Sequence, residues 1–94
     1  MTPLPLNLPP GAKVEFNSLY PVHQLRYLTE DILLVSLKDD IQIDVGWHPQ
    51  WDANGAFYVS VFQGDWEKQL QEPFESPDPF IVATEVRNLA KHYR

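Results

Sequence analysis

Ninety-four residues suffice for one domain, and 44% hydrophobic with 13% aromatic residues mark a folded chain rather than a disordered one. The absence of cysteine excludes a disulfide framework and thiolate chemistry. A net charge of −6 argues against nucleic acid and anionic membranes, which are bound through clustered Lys and Arg.

The charge is unevenly placed. Residues 31–78 hold ten acids against Lys38 and Lys68, whereas residues 79–94 hold Arg87, Lys91 and Arg94 against Glu85. No apolar run approaches the roughly 18 residues that span a bilayer. No basic segment precedes the first leucines as a secretory signal requires. The default expectation is a cytoplasmic protein with no membrane association.

Residues 1–11 alternate Leu4, Leu6 and Leu8 with Pro3, Pro5, Pro9 and Pro10. Proline removes donors and pushes its predecessor toward extended backbone, so this is an extended proline-rich arm before a single α+β domain at 12–94. Lys13 to Phe16 reads as a short strand. From Ser18 to Tyr27, a Ser cap, Pro21 in a first turn and the spacing of Val22, Leu25 and Leu28 favour a short helix, whereas a Leu25/Tyr27 alternation would suit a strand.

Three strand-like runs follow: 32–37, 41–47 and 57–62. A three-residue turn, Lys38-Asp39-Asp40, pairs Leu37 with Ile41, Val35 with Ile43 and Leu33 with Val45. Every side chain on that face is then apolar, as a buried face needs. A two-residue turn would set Val35 against Asp44. His48-Pro49 breaks the second strand, and Asn54-Gly55 is a turn signal before Phe57, Val59 and Val61 extend the core face. Trp66 to Gln71 reads as a fourth edge strand or short helix.

The clearest helix is the last. Asp78 caps it, Pro79 suits its first turn, and Val82, Val86, Leu89, Ala90 and Tyr93 form one apolar stripe. The expected fold is therefore α+β: a three- to four-stranded antiparallel meander with a C-terminal helix on one face, plus the arm.

This register leaves a second face of Ile32, Leu34 and Ser36, then Gln42, Asp44 and Gly46, then Tyr58, Ser60 and Phe62. It is mixed, with apolar flanks around a polar middle strand. Exposed apolar patches mark interaction sites. The candidate interaction face is accordingly Ile32, Leu34, Tyr58 and Phe62, with Trp47 as a further aromatic anchor. Its cover is the arm with residues 18–28, a second copy of the chain, or another protein.

A second candidate is a ligand loop of Asp44, His48 and Trp51, where a carboxylate and an imidazole meet a pair of indoles at Trp47 and Trp51. Asp44, His48 and Asp52 lack the helix-borne spacing of good metal sites, and Asp52 to Gly55 lacks the terminal Glu of a calcium loop. The glycines stand alone and no serine sits in a nucleophile elbow. No metal, cofactor or catalytic residue is assigned.

In element order, residues 31–94 resemble double-stranded-RNA-binding domains, but the acidic balance and the lack of a basic loop before the helix oppose that function. The same order, with small size and acidity, is similar to immunity-type inhibitors of bacterial toxin systems. That resemblance is one of layout, with no motif behind it. Three functions are then expected in descending order. The first is a non-enzymatic interaction or regulatory domain acting on a protein or on itself through the sheet face. The second is an acidic inhibitor masking a basic site through Asp39, Asp40, Asp65, Glu67, Glu72 and Glu75. The third is a small binder or enzyme at the Trp47–Trp51 loop.

Overall fold

The computed structural model describes residues 2–64 and 68–93. Among the described residues six strands form one antiparallel sheet: β1 (Lys13–Asn17), β2 (Leu33–Ser36), β3 (Ile41–His48), β4 (Ala56–Gln63), β5 (Lys68–Gln69) and β6 (Phe74–Ser76). They run in spatial order β1-β2-β3-β4-β5, and β6 also pairs with β4. One helix, α1 (Pro79–His92), closes the chain. Among the described residues no helix is long and apolar enough to cross a membrane.

The meander follows from alternation. Ile41, Ile43, Val45 and Trp47 of β3 are all buried, as are Phe57, Val59 and Val61 of β4. The pairs Leu33 with Val45 and Val35 with Ile43 stand in register, and the Leu37 N–H donates to the Ile41 carbonyl at 2.8 Å. The connecting turn is the expected Lys38–Asp40, and both aspartates adopt left-handed backbone, with φ of 61° at Asp39 and 58° at Asp40. Aspartate tolerates that region better than bulkier residues do, because its short side chain bonds locally.

The sheet is wider than the expected three to four strands. Residues 68–76 lie along the free edge of β4 in two short pieces, with Gln69 opposite Phe62 and Glu75 opposite Tyr58. β6 escapes sequence reading because Phe74-Glu75-Ser76 is three residues long between Pro73 and Pro77. The expected element at Trp66–Gln71 lies partly outside the described residues. Its described end is β5. The β-β-β-α layout is thus interrupted by two strands before the helix.

α1 packs its predicted stripe on β3, β4 and β6, burying Val82, Val86, Leu89 and Ala90. The Asp78 carboxylate accepts from the Phe80 N–H at 2.8 Å and the Ile81 N–H at 3.4 Å, satisfying two of the four orphan donors at the helix start. The arm covers the same side. Leu6 is buried in the core, with Leu4 and Leu8 packed against it.

The predicted helix over 18–27 is absent. Only Leu25–Tyr27 makes a 3₁₀ turn, and Val22 and Leu25 are exposed. The backbone here serves other partners. The Ser18 N–H donates to the Ile32 carbonyl at 2.7 Å, the Leu19 N–H to Asn17 Oδ1 at 2.9 Å, and the Leu19 carbonyl accepts from Leu4 at 2.8 Å. These bonds hold Leu19 fully buried in the core, and that tertiary demand overrides helical spacing.

Candidate docking face and its acidic notch

Because α1 and the arm share one side, the other side of the sheet is bare of any described helix or arm residue. Directly paired residues point the same way, so register defines this outer face. One row reads Phe16, Leu34, Asp44, Ser60; the next reads Gly46, Tyr58, Glu75; a third reads Lys13, Ser36, Gln42, Phe62, Gln69. Leu34, Tyr58 and Phe62 are half-buried, and Phe16 is 39% exposed. Phe16 reaches this face because the β1–β2 register slips between Val14 and Phe16.

Two of the expected anchors are elsewhere. Trp47 is fully buried on the core side, its ring 4.7 Å from that of Phe57, and its indole N–H donates to the Asp52 carbonyl at 2.8 Å. The alternation from Ile41 already assigns Trp47 to the core. Ile32 is also buried at 1%, because residues 29–32 leave regular pleating. There the Ile32 N–H donates to the Val45 carbonyl at 2.9 Å, and the Trp47 N–H to the Thr29 carbonyl at 2.7 Å.

The ligand-loop trio divides as well. Asp44 and His48 line one shallow cavity of about 280 Å³ together with Glu30, Gly46, Tyr58 and Ser60. Trp51 is not among its walls. It is 60% exposed in the 49–55 loop, and its N–H donates to the Leu28 carbonyl at 2.8 Å. With Trp47 buried and Trp51 outside, the two indoles do not make a stacking site.

The notch exists because Gly46 has no side chain. A Cβ there would stand 2.6 Å from the Glu30 carbonyl oxygen, so the 29–32 segment approaches β3 this closely only against a glycine. Asp44 sits beside it, half-buried. Burial, and then the charge of Asp31, push its carboxyl up to about 6. Neither the sequence position of Glu30 nor that of Asp31 hinted at this, since both precede the strand.

Among the described residues no group of three His, Cys, Asp or Glu side chains is placed to hold a metal ion. Asp39 and Asp40 are exposed at the far end of β3, where the Asp39 carbonyl accepts from Gln63 Nε2 at 3.0 Å and the Asp40 carbonyl from the Gly64 N–H at 3.0 Å. Glu72 and Glu75 are exposed; Asp65 and Glu67 lie outside the described residues.

A second apolar surface was not legible in the sequence. Phe80 and Ile81, 57% and 49% exposed on the first turn of α1, join Phe74, Pro21 and Val22 around two shallow grooves. Comparison of the chain with family models, with curated proteins and with solved structures finds no match.

Proposed function

We propose that this chain is a non-enzymatic interaction domain that docks a protein on the outer face of its sheet, through Leu34, Tyr58 and Phe62 with Phe16 at the rim. The observation that carries this reading is one-sidedness: α1 and the leucines of the arm pack on the same side, and the opposite face keeps half-buried aromatic and aliphatic side chains. Water-facing apolar surface of this kind is stabilised by a partner that removes it from solvent.

The sheet edges fit less well. β1 carries a register slip and the charged Lys13 and Glu15, features that blunt an edge against strand addition, and β5 and β6 are only two and three residues long. The acids around the face favour a partner with basic groups, which joins the masking function to the docking function in one surface.

Affinity capture with the intact chain tests this. Proteins retained by the native sequence should be lost with the double substitution Tyr58→Ser and Phe62→Ser, and kept with Phe80→Ser and Ile81→Ser on α1. Rising salt should weaken retention. Capture that survives the sheet-face change in a folded variant, or that depends on Phe80 and Ile81 instead, would move the docking surface to the helix.

A further inference from the structure

Resting on that reading of the face, we propose that the notch between Glu30, Asp44 and Tyr58 receives one cationic side chain, an arginine or a lysine, from a basic segment of the docked protein. Size is the first argument. A cavity of about 280 Å³ falls just under the roughly 300–1,000 Å³ of small-molecule sites, and it is shallow, so a single side chain reaching down from a larger surface fits it better than a free ligand does.

The chemistry of the walls is the second argument. Asp44 supplies a carboxylate, Ser60 a hydroxyl acceptor and Tyr58 an aromatic ring, and the Glu30 backbone carbonyl stands against Gly46. Glu75 stands directly beside Tyr58 in register. A guanidinium or ammonium over a tyrosine face gains cation–π attraction as well as charge-assisted hydrogen bonds.

Charge balance is the third argument. Among the described residues no Lys or Arg lines the notch. Lys13, two strands away from Asp44, is already paired with Glu15 at 3.2 Å. Arg87 and Lys91 lie on α1, across the sheet. The charged and polar groups around Asp44 are Asp31, whose charge acts on it, Glu30, His48 and Tyr58 in the notch wall, and Ser60 directly opposite on β4. An incoming cation relieves the repulsion between Asp31 and Asp44 and releases the proton that burial helps Asp44 retain. Affinity therefore rises with pH through about 6.

The test is a titration of the intact ¹⁵N-labelled chain with N-acetylarginine amide at pH 7.5, followed by amide NMR shifts. N-acetylcitrulline amide serves as the uncharged isostere. The expected result is saturable shifts centred on Gly46, Tyr58 and Ser60 with the arginine probe and none with citrulline. The shifts should weaken at least tenfold at pH 5 or in Asp44→Asn with Glu30→Gln. Equal response to citrulline, shifts spread evenly over Asp39, Asp40 and Glu72, or no saturable shift would overturn the proposal.

Failure of this inference can be told from failure of the docking reading. Absent arginine shifts, with capture still lost in Tyr58→Ser and Phe62→Ser, remove the notch and leave the face. Arginine shifts with capture indifferent to those substitutions remove the face. A dimer by light scattering that the same substitutions disperse would place a second copy there and overturn the basic partner.

Discussion

At the scale of single residues, two close backbone approaches depend on what two glycines lack. Gly46 lets the Glu30 backbone lie against β3, and Gly55 lets the 49–55 loop close on Trp47. A Cβ at Gly55 would stand 2.6 Å from the His48 carbonyl oxygen and 2.7 Å from the Trp47 indole nitrogen. Gly55→Ala should therefore cost about 1–3 kcal/mol, the usual range for overpacking, in chemical denaturation. Gly46→Ala should shift the amides of residues 29–32 and shrink the notch.

Asp44 carries the pH dependence. Its folded carboxyl titrates at about 6 against about 4 when unfolded. The folded state thus holds the proton more tightly, so stability is highest below about 4, falls as pH rises through about 6, and is level above. Asp44→Asn should flatten that slope. Discounted for its partial exposure to solvent, the gain at pH 7.5 is about 1 kcal/mol, or roughly 4–8 °C in Tm for a domain of this size. Thermal melts from pH 4 to 7.5 check both sign and slope.

Among elements, the legible ones were those where local pattern and tertiary demand agree. Apolar pairing alone chose the three-residue turn between β2 and β3, and the left-handed aspartates are its consequence. The cap and stripe of α1 were readable for the same reason. Asp78→Ala should cost roughly 0.5–2 kcal/mol by removing the acceptor for Phe80 and Ile81, and urea unfolding measures it. Where the two levels disagree, the sequence misleads. Val22, Leu25 and Leu28 have helical spacing, yet Leu19 and Leu28 are the buried pair, and the backbone of Ser18 and Leu19 is spent on Ile32 and on the arm. β6 has too few residues to show a period, and the notch depends on a bulge that no periodicity encodes.

Over the whole molecule, the core face was legible and the outer face only in part. Leu34, Tyr58 and Phe62 follow from alternation. Phe16 arrives by a register slip, Glu75 by an unforeseen strand, and Trp47 and Ile32 go inward. Charge is uneven in the same sense: Asp44 and Glu75 lie on the outer face beside Glu30, where Lys13 is paired with Glu15, and Arg87 and Lys91 lie on the helix with Glu85. Such a dipolar surface orients an approaching basic partner toward the outer face and makes the association rate fall with salt. The rate of docking should drop several-fold between low and physiological ionic strength while a Lys38→Gln change leaves it unaltered, as stopped-flow fluorescence would read.

The central claim is that the bare sheet face, and not the helix, meets the partner. The most direct measurement places a photo-activatable cross-linking side chain at Tyr58, at Phe62 or at Phe80 in the intact chain and compares the covalent products formed in the native host lysate. The account predicts a discrete protein adduct from positions 58 and 62 and none from position 80. An adduct from position 80 with silence at 58 and 62 would contradict it.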